Sequence, residues 1–143
     1  MTRFWPDAED LLLLLSGSTA SRTIVRDGGI LFAAAARPHA HLLDGRVYPT
    51  PIDRAAALLH AIMVWRPLDM WNASLGWMAA DVCLERSGLV LDMPAKERMA
   101  LTDAMASGEV DSVDEIALRL SPYLGMPART NHGGPGPDGP GPP

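Results

Sequence analysis

The residues best suited to chemistry lie in the segment 66–76, which reads Arg-Pro-Leu-Asp-Met-Trp-Asn-Ala-Ser-Leu-Gly. Its arginine, asparagine and serine side chains can donate hydrogen bonds to a phosphate or a carboxylate. The segment leads from a turn into a helix, whose first turn presents unpaired N–H groups and the positive end of a dipole. Arg66 and Asn72 are the residues that would take part in catalysis. The predicted anion-binding residues are Arg66, Asp69, Trp71, Asn72 and Ser74.

The helix that precedes this segment has clear start and stop signals. Thr50 can cap it, Pro51 suits the first helical position, and Asp53 completes a box-like capping pattern. Apolar residues continue at helical spacing as far as Trp65. Because Pro67 disfavours helical backbone at the residue before it, we expect the helix to end near Trp65.

The helix that follows is expected to begin with Asn72 as its N-cap, because asparagine is a preferred capping residue, and to end at Gly88. Apolar spacing predicts a buried face of Leu75, Met78, Ala79, Val82 and Cys83. Four more helices are predicted over residues 7–15, 27–37, 94–108 and 112–120. Residues 38–50 are expected to form a polar loop that turns at Asp44-Gly45.

The predicted fold class is therefore all-α, a compact six-helix bundle over residues 1–126 with essentially no strand. Residues 127–143 differ in composition, since eleven of these seventeen residues are proline or glycine. Such a segment cannot bury enough apolar surface to offset the entropy of ordering it. We therefore predict a disordered Pro/Gly-rich C-terminal tail.

Charge and composition exclude several classes of partner. A net charge of −5 provides no basic surface for nucleic acid. The leucine run at residues 11–15 is too short to span a bilayer, and the acidic residues before it are unlike a signal peptide, which predicts a cytoplasmic protein. Cys83 is the sole cysteine, so an internal disulfide is excluded and a buried structural thiol is expected.

The histidines admit two interpretations each. His39 and His41, with Asp44 nearby, have side chains that can bind a metal, but solvated loop histidines are the favoured interpretation and no metal site is assigned. His60 is expected to be a structural histidine, hydrogen-bonded near the turn of the segment 66–76, and the alternative is a catalytic role.

Several segments occur in a recognisable order along the chain. They are Arg26-Asp27-Gly28-Gly29-Ile30-Leu31, Ala35-Ala36-Arg37-Pro38, Tyr48-Pro49, Ala55-Ala56-Ala57-Leu58-Leu59-His60 and Leu84-Glu85-Arg86-Ser87-Gly88. In order and spacing this series resembles the death-on-curing (Doc) branch of the Fic family. The similarity extends over roughly residues 7–124.

The resemblance implies a small helical protein from a family that transfers part of a nucleotide, commonly AMP, or in the Doc branch a phosphate, to a target hydroxyl. The family signature His-Pro-Phe-x-Asp-Gly-Asn-Lys-Arg aligns with residues 66–74, because the spacing from His60 is preserved. Pro67 and Asn72 match it. The family's base, metal-binding acid, small glycine and phosphate-holding pair are replaced by Arg66, Met70, Trp71 and Ala73-Ser74.

These replacements predict loss of the family reaction. Arginine stays protonated, so Arg66 cannot accept a proton from a hydroxyl. The thioether of Met70 is a poor ligand for magnesium, and Ala73-Ser74 removes two positive charges. The favoured interpretation is a toxin–antitoxin-type pseudoenzyme that binds or regulates a protein partner, with an antitoxin-like segment as the partner that the resemblance implies.

Two alternatives stay open. One is a divergent phosphoryl- or nucleotidyl-transferase that uses ATP and magnesium, holds the anion with Arg66 and the helix N-terminus, and takes Asp69 or His60 as base. The other is a plain helical interaction module. Its pocket would be filled by Trp65, Trp71 and Trp77.

The resemblance also implies a flap within residues 40–50 that aligns the target segment. Arg46, Val47 and Tyr48 are the candidate residues for docking a partner there. An ordinary surface loop is the alternative interpretation of the same residues.

Overall fold

The computed structural model of the protein describes residues 5–17 and 23–127. The described chain contains six α-helices, as the sequence predicts: α1 (Ala8–Ser16), α2 (Gly28–Ala36), α3 (Pro51–Trp65), α4 (Asn72–Arg86), α5 (Ala95–Ser107) and α6 (Val113–Leu120). The all-α prediction is confirmed. Apart from Pro127, the predicted disordered tail lies outside the described residues.

Local capping signals mark the starts of α1 and α3 and the end of α5. The Asp7 side chain accepts a hydrogen bond from the backbone N–H of Asp10 and caps α1. Thr50 caps α3 in the same way, by accepting from the N–H of Asp53, with Pro51 at the first position. Helix α5 ends at Gly108, whose φ of 81° lies in the left-handed region that favours glycine.

Helix α3 is the centre of the molecule and packs against α2, α4, α5 and α6. Residues 54–62 are all buried, so this stretch is enclosed on every side rather than on one stripe. Two short antiparallel strand pairs complete the fold: the hairpin of β1 (His41–Leu42) with β2 (Gly45–Arg46), and the pair of β3 (Val90–Leu91) with β4 (Leu124–Gly125), which α5 and α6 separate along the chain.

The hairpin β1–β2 corrects the sequence prediction of a loop without strands over 38–50. Helix α2 ends at Ala36, and a 3-10 turn over Arg37–His39 leads into the hairpin. The turn lies at Leu43–Asp44, one residue before the expected Asp44-Gly45, because Gly45 is already the first residue of β2, and it joins two strands of two residues each. All four strand residues are exposed, so burial leaves no alternating pattern in the sequence for a prediction to detect.

Gly76 sets the close approach of α4 to α3. A Cβ atom at this position would lie 3.1 Å from Leu59 Cδ1 and 3.2 Å from Met63 Cε. We expect Gly76→Val to lower the free energy of unfolding by about 1–3 kcal/mol, because the added atoms overpack this contact. Urea denaturation measures the change. Ala73→Val, on the same helix but half-buried, is the matched control, and an equal loss from both variants would contradict the explanation.

The single cysteine is buried, as the sequence analysis predicts. Cys83 is a free, buried thiol on α4, and burial raises the pKa of that thiol. In the described residues, no helix is both long enough and apolar enough to traverse a bilayer.

Candidate functional site

The candidate site is the loop Arg66–Trp71, which joins α3 to α4 and is called the motif loop below. Both of its end residues adopt left-handed backbone, with φ 51° at Arg66 and φ 69° at Trp71. For a residue other than glycine this conformation costs roughly 1–2 kcal/mol. The loop therefore begins and ends at strained positions, which the surrounding structure must hold in place.

Residues 23–26, called the bracing segment below, supply part of that support by pairing with the motif loop. The Arg26 N–H donates to the carbonyl of Pro67 at 2.8 Å, and the Asp69 N–H donates to the carbonyl of Ile24 at 2.9 Å. The Arg26 side chain adds a 2.7 Å hydrogen bond from Nε to the Arg66 carbonyl. This pairing of two distant stretches of chain fixes the loop from outside its own sequence.

Asn72 supplies the other part, and its position corrects the predicted N-cap. The cap of α4 is Trp71, while Asn72 is the first residue of the helix and is buried. Asn72 Oδ1 accepts from the Leu68 N–H and Nδ2 donates to the Leu68 carbonyl, both at 3.0 Å. The capping preference of asparagine favours an exposed Asn72 at the N-cap. Instead, the amide of Asn72 is buried and pairs with the N–H and the carbonyl of Leu68.

Asp69 is held by the bracing segment. Its Oδ1 accepts hydrogen bonds from the Thr23 hydroxyl at 2.7 Å, from the Ile24 N–H at 2.9 Å and from the Met70 N–H at 2.8 Å. The Thr23 hydroxyl is the main cause that lowers the pKa of the Asp69 carboxyl. A carboxylate with these donors is a weaker base than an ordinary aspartate.

This lowered pKa predicts a pH dependence of stability. Because the pKa is depressed in the folded state, Asp69 stabilises the fold above its ordinary pKa of 3.8, and this contribution is lost as the pH falls through the folded-state pKa. We expect Asp69→Asn to flatten the fall in unfolding free energy between about pH 4 and pH 2. Urea denaturation at a series of pH values measures it, and parallel curves for both proteins would contradict the assignment.

Three other motif-loop side chains face solvent, whereas Pro67 and Leu68 are buried. Met70 and Trp71 are 53% and 44% exposed, and Arg66 is also exposed. Within residues 5–17 and 23–127, the Arg66 guanidinium has no hydrogen-bond or ion-pair partner. Trp71 therefore does not fill a pocket together with Trp65 and Trp77, as the interaction-module alternative expects, although those two side chains are half-buried.

Comparison of the sequence with known proteins shows the family of the chain. The protein named Toxin Doc from Mycolicibacterium smegmatis (strain ATCC 700084 / mc(2)155) is 34% identical over 119 residues, which cover 82% of this chain and 91% of the relative. The chain belongs to the Fic/Doc family. No protein-family profile and no solved structure matches it.

The structure places the residues that align with the Fic/Doc signature in two neighbouring surroundings. Asn72, which matches the family signature, has both amide atoms on the Leu68 backbone. Ser74 lines a cavity of about 510 Å³ between α4 and α5, together with Trp77 and Arg98, and none of the motif-loop residues lines that cavity. The structure thus brings Arg66, Asp69, Trp71 and Asn72 together in or beside one loop, whereas Ser74 lines the cavity between α4 and α5.

The flap that the Fic/Doc resemblance implies corresponds to the hairpin β1–β2 and the residues after it. Arg46 and Val47 are exposed, and the Val47 N–H extends the hairpin by donating to the Ala40 carbonyl at 2.9 Å. Tyr48 is half-buried, and its hydroxyl accepts from Arg37 Nε at 3.1 Å. The predicted docking residues therefore differ, since Tyr48 anchors the flap while Arg46 and Val47 face outward.

Arg37 links the flap to the core through His60, a connection that sequence reasoning missed. The guanidinium lies over the rings of Tyr48 at 5.7 Å and Trp65 at 5.1 Å. Arg37 Nη1 is 2.7 Å from His60 Nδ1, and His60 Nε2 is 3.3 Å from Asp111 Oδ1. Arginine only donates, so Nδ1 must accept and Nε2 carries the proton toward Asp111.

His60 thus forms structural hydrogen bonds, as the sequence predicts, but its partners are Arg37 and Asp111 rather than groups of the motif loop. No signal in the sequence marks the pair, because Asp111 lies fifty-one positions away from His60. Among the described residues, no group of three histidine, cysteine, aspartate or glutamate side chains is placed to hold a metal ion. His41 Nδ1 lies 2.7 Å from the His39 carbonyl oxygen.

Proposed function

We propose that this Fic/Doc protein is a toxin–antitoxin-type component that binds a protein partner in the cytoplasm and has lost the transfer chemistry of its family. The observation that carries the proposal is the guanidinium at position 66, where the family signature has a histidine. A general base must release and accept a proton near neutral pH, and an arginine cannot.

The other residues of the loop do not fit ATP and magnesium. Met70, at the position of the metal-binding acid, offers a thioether, whereas magnesium requires hard oxygen ligands. In the neighbouring Asp69 carboxylate, Oδ1 already accepts three hydrogen bonds, which leaves Oδ2, and a single carboxylate oxygen is a poor substitute for a magnesium site. Ala73 provides no charge for a phosphate. No catalytic step through a metal-bound nucleotide follows from these residues.

Binding of a protein remains compatible with every replacement. The helical scaffold is intact, the motif loop is held by Asn72 and by the bracing segment, and its exposed side chains are large. The relative is named a toxin, and toxins of such systems are held in check by an antitoxin. An antitoxin-like segment is therefore the proposed partner, with Arg46, Val47 and Tyr48 of the flap as the docking residues expected from the resemblance.

The test is a transfer assay on the full-length chain. The protein is incubated with radiolabelled ATP, magnesium and a cytosolic extract from its source, beside an active Fic enzyme as positive control. We expect no labelled protein above background. Labelled protein produced by the unaltered chain, and abolished by Arg66→Ala, would overturn the proposal.

One observation favours the transferase alternative. The side chain of Trp71 makes no capping hydrogen bond to α4 among the described residues, so the helix N-terminus and Arg66 together present donors to an anion. If this alternative holds, labelled ATP should bind, and Arg66→Ala should weaken that binding. Calorimetric titration with ATP and magnesium measures both, and an affinity that the substitution leaves unchanged would count against it.

A further inference from the structure

The cavity of about 510 Å³ between α4 and α5 takes no part in the proposed function. Its lining residues recur at intervals of one, three and four positions along each helix, so they form two facing stripes. The stripes are Ala73, Ser74, Trp77 and Met78 on α4, and Ala95, Arg98, Met99, Thr102 and Asp103 on α5. Cavities that bind small molecules commonly measure about 300–1,000 Å³ and are mostly apolar, with a few polar groups. This cavity meets both conditions.

The aromatic wall of the cavity is held in a fixed position. The indole Nε1 of Trp77 donates a hydrogen bond to the hydroxyl of Thr102 at 2.9 Å, and that hydroxyl donates to the Arg98 carbonyl at 2.9 Å. The Arg98 guanidinium lies 5.0 Å from the centroid of the indole ring. A wall that is ordered before a ligand arrives loses little conformational entropy on binding, which favours affinity.

Two methionines complete the apolar part of the cavity. Met78 on α4 is half-buried, and Met99 on α5 is 67% exposed. Thioethers make favourable contacts with aromatic rings, and the flexible methionine side chain adapts to the shape of a ligand. Together with Trp77, these side chains are suited to an aromatic ring.

The charged groups of the cavity decide the sign of the ligand. The Arg98 guanidinium is already engaged, because it donates to both carboxylate oxygens of Asp81 at 2.9 and 3.0 Å and to the carbonyls of Leu91 and Met93. The carboxylate of Asp103 is exposed and has no hydrogen-bond or ion-pair partner within residues 5–17 and 23–127. A free carboxylate beside an apolar cavity is complementary to a cation that carries an apolar group.

The replaced signature residues contribute to this cavity. Ala73 and Ser74 line it, and they stand where the family signature has a lysine and an arginine. Two long cationic side chains would take up part of the space and would bring two positive charges to it. Alanine and serine do neither, so the replacement that removes the phosphate clamp also leaves the cavity open, with Asp103 as its free charge.

We propose that this cavity binds a small arylalkyl amine, an aromatic ring on a short chain that ends in an ammonium group. The ring lies against Trp77, Met78 and Met99, and the ammonium group pairs with the Asp103 carboxylate. The inference goes beyond the proposed function, because it assigns a small-molecule ligand to a site outside the motif loop and the flap.

The probe is 2-phenylethylamine, titrated into the full-length protein at pH 7 and followed by NMR of methionine methyl groups labelled with carbon-13. We expect saturable shifts of the Met78 and Met99 methyl signals and none of Met105, which is buried on α5 outside the cavity. Phenylacetate has the same ring with a negative charge, and 2-phenylethanol has it without charge. Phenylacetate should bind about tenfold more weakly than the amine, or less tightly still, because Asp103 then repels the ligand.

Two pairs of variants on α5 test the geometry. Asp103→Asn should weaken binding of the amine about threefold to fivefold, as loss of an exposed ion pair does, and should leave 2-phenylethanol unaffected. Its matched control is Glu97→Gln, which neutralises an exposed carboxylate outside the cavity. Ala95→Phe should fill the cavity and abolish binding of both compounds, whereas Ala100→Phe, at an exposed position outside the cavity, should not. Circular dichroism checks that all four variants are folded.

Three results would overturn the inference: no saturable shift with the amine, equal binding of phenylacetate, or equal effects of Asp103→Asn and Glu97→Gln. A fourth is a dimer in sedimentation that Ala95→Phe turns into a monomer, because the occupant of the cavity would then be a second copy of the chain. None of these results bears on the loss of transfer chemistry, which the assay with labelled ATP tests separately.

Discussion

Arg66→His alone should leave the protein without measurable transfer activity. The same substitution combined with Met70→Asp, Trp71→Gly, Ala73→Lys and Ser74→Arg should raise transfer by roughly four orders of magnitude or more over the unaltered chain. General acid–base catalysis commonly supplies 10²–10⁴-fold, and a single electrostatic donor to the transition state about 10²–10³-fold. These contributions depend on one another. A base at position 66 cannot promote transfer when no metal site and no phosphate clamp hold the nucleotide beside it.

The structure shows why the loop can accept these changes. Trp71 already has a φ of 69°, a conformation in which glycine is unstrained, so Trp71→Gly relieves the backbone. Met70 is exposed, and an aspartate there needs no buried partner. Asn72, which the signature retains, continues to hold the Leu68 backbone.

The measurement is the initial rate of transfer from labelled ATP in the presence of magnesium, for the single and the fivefold variant. A threefold variant that keeps Ala73 and Ser74 separates the contribution of the phosphate clamp from that of the base, the metal acid and the glycine. Strong activity from Arg66→His alone would show that the remaining site is competent, and would contradict the account of the replaced metal and phosphate groups.

Asn72→Ala should lower the free energy of unfolding by about 2–5 kcal/mol. The substitution removes the partners of the Leu68 N–H and the Leu68 carbonyl, and Leu68 is fully buried. Each buried polar group left without a partner costs about 1–3 kcal/mol. Asn72→Asp should also destabilise, because a carboxylate cannot donate to the Leu68 carbonyl.

Urea denaturation measures both variants, and Ser74→Ala, one half-turn further along α4, is the control that should change little. Equal stability of Asn72→Ala and Ser74→Ala would mean that the motif loop does not depend on this amide.

The fold and the candidate site differ in how far the sequence predicts them. Helix bounds depend on signals within a few residues of each end, such as Thr50 with Asp53 or Gly108 in left-handed backbone, and those bounds were predicted closely. The β1–β2 hairpin was missed because its exposed residues show no alternation of apolar and polar side chains.

The sequence suffices to predict the six helices, the family and the loss of a base at position 66, because capping, spacing and the fixed charge of a guanidinium are local properties. The partner of each polar group, in contrast, depends on the tertiary structure. Thr23 reaches Asp69 across forty-six positions, and His60 reaches Asp111 across fifty-one. Such pairs are set by the packing of distant elements, and this packing also leaves Trp71 exposed in the motif loop.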